Sequence, residues 1–191
     1  MPTQEIKYLS TFKDVCKKIN SSLDIHIVLK AITENAAELL GVKGCTIFLL
    51  DKERKHLHVS SSYGLSERYI KKGPVDSEKS IKDTLGGEWV LVSDAKIDTR
   101  IQYREEAKQE GIESILSIPM FTKGTIIGVL RIYTSEPRFF SDIENEFIAG
   151  LVEVGSIALE NAMIYDQLKT DHEKLICDVH QWFDYGAPGR S

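Results

Sequence analysis

The 191-residue chain has few cysteines and prolines: three cysteines, no Cys-x-x-Cys pair and five prolines. Cys16, Cys45 and Cys177 are far apart in sequence, which argues against a disulfide scaffold and is typical of a reducing compartment. Glycine, at 13 residues, is too rare for a collagen-like or low-complexity chain. The composition therefore predicts one ordinary globular domain with a modest extension.

Excess positive charge and long apolar runs are also missing. The chain carries 24 Lys and Arg against 29 Asp and Glu, a formal net charge of -5. Because phosphate neutralisation needs a basic face, this balance argues against nucleic acid or an anionic membrane as the partner. Uninterrupted apolar stretches reach only about four residues, and residues 1–10 do not resemble a secretory leader. We therefore expect a cytoplasmic protein without a membrane span.

Familiar catalytic signatures are missing as well. Gly86-Gly87 lacks the strand-to-helix context of a phosphate-binding loop, and no Gly-x-Ser-x-Gly or His-Glu-x-x-His motif occurs. Asp94 and Asp98 resemble a carboxylate pair, but Asp94 is better explained as an acceptor of backbone hydrogen bonds in its own loop. We therefore expect no enzymatic activity.

The first third of the chain has the apolar spacing of two helices. The first stripe consists of Leu9, Phe12, Cys16 and Ile19, at spacings of three and four. Residues 20–22 interrupt it, and Asp24 is suited to cap a second helix. That helix should end at Gly41, since glycine adopts the left-handed C-terminal conformation without strain.

The middle of the chain alternates between strands and irregular segments. Strands are predicted at residues 45–50, 56–62, 89–92, 114–121 and 126–134. Pro119 should lie at a strand edge or bulge, because proline cannot donate to a ladder. The charged residues 65–111, called the lid below, have little periodicity. Within them we expect short helices, one starting at Ser77 or Ser80 and one over residues 103–109.

The last helix carries the longest regular pattern. Ser141 and Glu144 form a capping-box signature. A 4-3-4-3 seam then runs through Phe147, Leu151, Val154, Ala158, Asn161, Tyr165, Leu168, His172, Leu175, Val179 and Trp182, as in a coiled coil. Thr170 and Glu173 form a second capping box, so the alternative is a break there. We expect a domain over 1–168, a coiled-coil-like extension over 169–183 and a flexible tail over 184–191.

Short motifs resemble, in order and spacing, those of the GAF domain family of sensory signalling modules. They are Ala36–Gly41, Phe48–Asp51, Tyr63–Leu65, Val92–Asp94 with Asp98 and Arg100, Gly111–Ser114, Ile118–Met120 with Gly124, Ile127–Leu130, Phe140–Ser141 and Glu160–Ala162. The resemblance implies an α/β (α+β) fold. A central antiparallel sheet of five or six strands would have the terminal helices on one face and the lid on the other. The family's cyclic-nucleotide signature is mostly absent, since Tyr133-Thr134 replaces its Asn-Lys pair.

The resemblance also implies a ligand site between sheet and lid. The lining residues we predict are Phe48, Ser60, Ile81, Thr84, Trp89, Asp94, Tyr103, Ser114 and Ser117. The alternative is that Phe48, Ile81 and Trp89 fill the core and leave no cavity. We therefore expect a sensor that binds an unidentified small molecule under the lid. The alternative function is an interaction module with a vestigial pocket.

The family's cofactors and enzymatic branch fit this chain poorly. Reduction of free methionine-R-sulfoxide, found in one branch, needs cysteines around the pocket, and residues 75–120 contain none. No Cys-His pair is present for covalent bilin attachment. His56 and His58 lack a third ligand nearby, so we expect neither haem nor metal.

Sensors of this family commonly dimerise through their terminal helices. The predicted homodimer interface consists of Leu9, Phe12, Cys16, Phe147, Leu151, Val154, Ala158, Tyr165 and Leu168. Because the resemblance leaves little chain for an output domain, we expect the signal to pass to a separate partner.

Overall fold

A computed structural model describes residues 2–21, 24–77 and 81–185 of the chain. In chain order the elements are α1 (Pro2–Ser21), α2 (Ile25–Leu40), β1 (Gly44–Leu50), β2 (His56–Tyr63), α3 (Glu67–Ile70), β3 (Val75–Asp76), α4 (Lys82–Leu85), β4 (Val90–Val92), α5 (Arg104–Glu110), β5 (Ser114–Thr122), β6 (Thr125–Thr134) and α6 (Asp142–Tyr185). The start predicted at Ser80 and most of the predicted tail lie outside the described residues.

The strands form one antiparallel sheet in the order β3-β2-β1-β6-β5-β4. This confirms the predicted sheet, with six strands. Pro119 lies on the part of β5 that extends past β4, and the ladder shifts register between Met120 and Phe121. The predicted position of this proline at an edge or bulge is therefore confirmed.

The helices α1, α2 and α6 cover one face of the sheet. Alternate strand residues such as Ile47, Met120 and Ile132 join them in the largest apolar core, as the period of two requires. Asp24 caps α2 by accepting a hydrogen bond from the amide of His26, and α2 ends at Gly41 with φ +59°. Both predicted ends of α2 are confirmed.

The lid covers the opposite face of the sheet. One apolar cluster there joins Tyr69 of α3 to Ile115 and Tyr133 of the sheet, and a second joins Ile81 to Phe48. The short elements α3 and β3 were not predicted, because elements of four and two residues contain too few residues to display a period.

The terminal helix α6 spans 44 residues, or about 66 Å, without the break considered at Thr170. Its capping box is confirmed, because the Ser141 amide donates to the Glu144 carboxylate (2.8 Å) and the Glu144 amide to Ser141 Oγ (3.4 Å). Residues 142–165 are long and apolar enough to cross a membrane, yet 44% of that window is buried within the protein. This is typical of a core helix that packs against its own domain.

Candidate functional site

Two cations lie on the lid side of the sheet: Arg131, which is buried, and Lys72, which is half-buried. The alternation along β6 directs Leu130 and Ile132 into the helix-side core and Val129 and Tyr133 into the lid-side clusters. Arg131 shares the parity of Val129 and Tyr133, so it lies on the lid side, and only 4% of it is exposed. A charged residue in the centre of an apolar strand is expensive to bury without polar neighbours.

Arg131 is held by a polar and an aromatic neighbour. Its Nε donates a hydrogen bond to Ser117 Oγ at 3.1 Å. Its guanidinium carbon lies 5.8 Å from the centre of the Phe48 ring, within the range of a cation–π contact. The β5 and β1 side chains therefore fix the guanidinium against the sheet.

Lys72 brings the second cation, from the lid. It follows α3, which Ser66 caps by accepting a hydrogen bond from the Tyr69 amide. Its Nζ donates to the Tyr69 carbonyl oxygen at 3.0 Å and lies 3.8 Å from the Tyr69 ring centre. The same atom lies 5.9 Å from the Phe48 ring centre and 5.7 Å from that of Tyr103.

The ammonium of Lys72 is destabilised in this position. Burial, and then the charge of Arg131, lower the pKa of Lys72 from 10.5 to about 8. Glu106 and Glu110 of α5 act in the opposite direction without restoring the pKa. Glu110 is already bound to the Ser66 amide and hydroxyl, at 2.9 and 2.5 Å. Within the described part of the chain, Lys72 forms no ion pair with a carboxylate.

Two hydroxyl groups are buried without a hydrogen-bond partner among the described residues: Thr84 Oγ1 on α4 of the lid and the Tyr133 hydroxyl on β6. Tyr133 lies near Thr46 and Arg131, and burial raises the pKa of Tyr133 to about 12. Thr46 is itself bonded to Ser62, with 2.9 Å between the hydroxyl oxygens. Because an unsatisfied buried hydroxyl destabilises a fold, each of these two groups is expected to meet a water molecule or a ligand.

Several predicted lining residues lie together in this region. Phe48 lies beneath both cations, Ile81 packs in the same cluster as Phe48, and Ser117 binds Arg131. Tyr103 flanks Lys72, and its hydroxyl donates to the Pro74 carbonyl oxygen at 2.9 Å.

Other predicted lining residues lie elsewhere. Trp89 lines a groove between β5 and α6 with Phe121 and Ile157, so it belongs to the helix side of the sheet edge. Asp94 accepts from the Lys96 amide at 3.0 Å, which is the loop role considered as its alternative. Ser114 is bonded to Thr134, with 2.5 Å between the hydroxyl oxygens, and is fully buried. Ser60 is the unpaired residue of a bulge in β2.

Sequence reasoning missed the two cations and two of the tyrosines beside them, Tyr69 and Tyr133. Arg131 had a usable signal, since it is the charged residue inside the apolar stretch from Ile126 to Tyr133. Lys72 had none, because it lies in an irregular segment with many other charges. Only the fold places it over the same aromatic ring as Arg131.

The cysteines described by the structure lie away from the lid. Cys45 is fully buried on the helix side of β1, and burial raises its pKa. Cys16 is half-buried on α1, and the side chain of Cys177 lies outside the described residues. Among the described residues no group of three His, Cys, Asp or Glu side chains could hold a metal ion. His56 instead lies 3.2 Å from Asp51.

The predicted interface residues fall into three groups. Phe147, Leu151 and Ala158 belong to the protomer's own core and are not available to a partner. Leu9, Tyr165 and Leu168 are more than half exposed, at 57%, 57% and 63%. The remaining three, Phe12, Cys16 and Val154, are half-buried.

Comparisons with known proteins agree with this architecture. A family model described as a GAF domain matches residues 22–160. The chain is 29% identical over 167 residues to a methyl sulfide methyltransferase-associated sensor of Methanosarcina acetivorans, covering 84% of this chain but 17% of that protein. It therefore spans less than a fifth of that relative's length.

Solved structures show the same fold at low sequence identity. The GAF domain of a phosphoenolpyruvate-protein phosphotransferase from Coxiella burnetii superposes with a TM-score of 0.75 at 19% identity, covering 85% of this chain and 98% of that one. A free methionine-R-sulfoxide reductase from Neisseria meningitidis, solved with its substrate, gives 0.69 at 15% identity, covering 84% and 93%.

Proposed function

The chain belongs to the GAF domain family, whose members are generally sensory rather than catalytic, and we propose that it is a cytoplasmic sensor of a small molecule. The ligand would bind between the sheet and the lid, around Phe48. The observation that carries this proposal is the set of polar groups around Phe48 and the lid. The buried Arg131 guanidinium and the half-buried Lys72 ammonium lie 5.8 and 5.9 Å from the Phe48 ring centre, and the buried hydroxyls of Tyr133 on β6 and Thr84 on α4 have no hydrogen-bond partner among the described residues.

A vestigial pocket would be expected to lose such groups. Buried polar side chains without a partner destabilise a fold by about 1–3 kcal/mol each, and apolar replacements of the same size avoid that loss. Tyr133 and Thr84 would each be better replaced by phenylalanine and valine if no ligand met their hydroxyls. Their presence favours an occupied site over a filled core.

The relay would run through β5 to α6. Ser117 of β5 contacts Arg131 on the lid side, while Met120 of the same strand approaches α6 at Gly155. An ideal Cβ built on Gly155 would lie 3.1 Å from Met120 Cε and 3.0 Å from Ile32 Cδ1, so the helix lies close to the sheet and to α2. A ligand that prefers one arrangement of the lid would then shift the population of α6 positions.

The second half of α6 supports dimerisation as part of this relay. Beyond residue 160 most of the apolar side chains that the structure describes are exposed, among them Tyr165, Leu168 and Leu175. These three follow the heptad spacing, so a second copy of the helix would cover them. A separate signalling protein or domain would receive the output. If the pocket binds nothing, this seam supports the alternative function of an interaction module.

The sensor proposal is tested by thermal-shift screening of the full chain against nucleotides, amino acids, organic acids and small neutral metabolites. We expect at least one compound to raise the melting temperature, and Phe48→Ala to abolish its effect. The matched control is Phe139→Ala, since Phe139 is exposed at 82% and belongs to the connection between β6 and α6, outside the lid. If no compound binds, or if both variants lose binding equally, the proposal is wrong.

Dimerisation is tested by sedimentation of the same protein. Leu168→Glu should convert a dimer to a monomer, because it places a charge in the seam, whereas Lys169→Glu, also exposed, should not. A monomeric unsubstituted chain at micromolar concentration would contradict the dimeric relay.

A further inference from the structure

We propose that the lid holds a second binding site, between α3 and α5, for a small zwitterionic amino acid. The site is a cavity of about 290 Å³ whose walls are Ser66, Arg68, Tyr69, Glu106, Gln109 and Glu110. Arg68 would bind the carboxylate of the ligand, and Glu106 would bind its ammonium group. The inference goes beyond the proposed sensor function, because the ligand of that proposal would lie around Phe48, which does not line this cavity.

Hydrogen bonds between the two short helices hold the cavity together. The amide and the hydroxyl of Ser66, which caps α3, both donate to the Glu110 carboxylate at the end of α5, at 2.9 and 2.5 Å. Arg68 of α3 donates to the side-chain oxygen of Gln109 on α5. The cavity volume is at the small end of the range for ligand sites, so its occupant is a small metabolite.

Two opposite charges line this cavity without an ion pair. The exposed Arg68 guanidinium donates to a neutral amide, that of Gln109. Within the part of the chain that the structure describes, the half-buried Glu106 forms no hydrogen bond or ion pair, so it does not pair with Arg68 either. A ligand that carries one group of each sign satisfies both side chains with charge-assisted hydrogen bonds. A free amino acid carries such an ammonium and carboxylate close together.

Tyr69 supplies the buried wall of the cavity. Only 3% of it is exposed, and its ring meets the ring of Tyr133 on β6 edge-on, with 5.8 Å between the ring centres. Burial raises the pKa of Tyr69, so its hydroxyl stays protonated at neutral pH and can donate to a carboxylate. Its ring offers an apolar surface to the side chain of a small amino acid.

Ligands with a single charge fit the cavity less well. An anion bound to Arg68 would share the cavity with the Glu106 carboxylate, and a cation bound to Glu106 would share it with the Arg68 guanidinium. Glu110 already accepts two hydrogen bonds from Ser66, so Glu106 is the carboxylate left to bind an ammonium group. We therefore expect both charges of the ligand to contribute to binding.

Occupancy of this cavity would act on the lid as a whole. A bound amino acid would add a further link between α3 and α5. Tyr69 of α3 lies beside Lys72, whose Nζ is 3.8 Å from the Tyr69 ring centre and 5.9 Å from that of Phe48. A ligand that fixes α3 would therefore also fix the groups that cover Phe48.

The test is calorimetric titration of the full chain at pH 7 with matched probes. Glycine, alanine and serine are each compared with their amides, which lack the carboxylate, and with their N-acetyl forms, which lack the ammonium group. We expect at least one amino acid to bind with a Kd below about 1 mM. Its amide and its N-acetyl form should each bind at least about tenfold more weakly, because each loses hydrogen bonds to a charged group.

Substitutions of the two charged walls assign each contact. Glu106→Gln should remove the preference for the amino acid over its N-acetyl form, and Arg68→Gln the preference over its amide. A merely structural role would weaken all three compounds together. The matched controls are Glu105→Gln and Lys71→Gln, exposed neighbours that do not line the cavity; they should change binding by less than about twofold.

The outcomes separate this inference from the sensor proposal. Phe48→Ala should leave amino-acid binding unchanged; if it abolishes binding while Glu106→Gln does not, the amino acid binds in the region of the sensor proposal and the second site is wrong. An amide or N-acetyl form that binds as tightly as its amino acid overturns the zwitterion assignment. If none of the three amino acids binds with a Kd below about 1 mM, this inference is wrong, while the sensor proposal is decided by its own screen and by Phe48→Ala.

Discussion

Replacing Lys72 with methionine should stabilise the unliganded protein at pH 7. Lys72 keeps its proton at that pH although its pKa falls from 10.5 to about 8 in the folded state, because of burial and of the nearby Arg131 charge. At about 1.4 kcal/mol per pH unit, holding the charge in the fold destabilises the protein by ~3 kcal/mol. Methionine fills similar space without a charge.

The loss of favourable contacts reduces this gain. The ammonium lies 3.8 Å from the Tyr69 ring centre, a contact that contributes roughly 1–2 kcal/mol at a buried site. The Tyr69 carbonyl keeps a partner, because the Lys72 amide also donates to it at 3.4 Å. The net expectation is a stabilisation of about 1–2 kcal/mol, or a rise in melting temperature of roughly 2–8 °C for a chain of this size.

The pH dependence of the stability difference between Lys72→Met and the unsubstituted protein shows whether the Lys72 charge is its cause. Below pH 8 both the folded and the unfolded state carry the proton, so the full penalty is present. Between pH 8 and 10.5 the unfolded state still binds the proton while the folded state releases it, so stability rises with pH. At pH 10.5 the penalty has disappeared, and the variant should be no more stable than the unsubstituted protein.

Urea unfolding at pH 7 and pH 10.5 measures both effects. Lys71→Met is the matched control, because its ion pair with Glu67 is exposed and should contribute less than about 1 kcal/mol. If Lys72→Met destabilises the protein by the same amount at both pH values, the repulsion between the two cations is not what the structure indicates, and the reasoning fails.

Three further predictions concern the scaffold around the site. Gly128→Ala should lower the free energy of unfolding in urea by more than about 2 kcal/mol, because its Cβ would lie 2.3 Å from a main-chain oxygen of β1. Gly124→Ala, at φ +76° with open space around it, should lower that free energy by only about 1 kcal/mol. Equal losses of stability in the two variants would contradict the argument. Cys45 should resist thiol reagents until the protein unfolds, since it is fully buried and its pKa is raised; labelling in the folded state, located by mass spectrometry, would refute its placement. Arg138→Ala should lower the free energy of unfolding by about 1–3 kcal/mol. The Arg138 side chain donates to the last carbonyl oxygen of α2 at 2.6 Å and pairs with Glu144 of α6 at 2.5 Å, so it connects the two helices. A loss of stability no larger than that of Lys71→Met would contradict this connecting role.

The likeness to a methionine sulfoxide reductase extends to the fold alone. The identity is 15%, and the two cysteines whose side chains the structure describes lie away from the lid. Cys45 is in the helix-side core and Cys16 on α1. A thiolate mechanism needs an accessible thiol of low pKa near the bound substrate. Burial raises the pKa of Cys45, which makes it unsuited to that role.

Much of the scaffold could be predicted from the sequence, because local rules decide it. Asp24 and Gly41 end α2 through contacts within a few residues, and Ser141 caps α6 in the same way. The strands follow from their period of two, and the GAF motifs supply the layer order. The alternation of side chains along β6 also places Arg131 on the lid side of the sheet, although the prediction of site residues did not use this.

The tertiary structure alone decided which of these residues share a site. Lys72 and Arg131 are 59 positions apart in the printed numbering, and only the packing of α3 on the sheet brings both cations to Phe48. Packing likewise places Trp89 on the helix side and buries Leu151 while leaving Leu168 exposed in the same heptad seam. A periodic pattern states that residues share a face, but what covers that face depends on elements distant in the chain. For this reason the sequence by itself determined the GAF scaffold, whereas the tertiary structure determined which charged side chains meet at its candidate site.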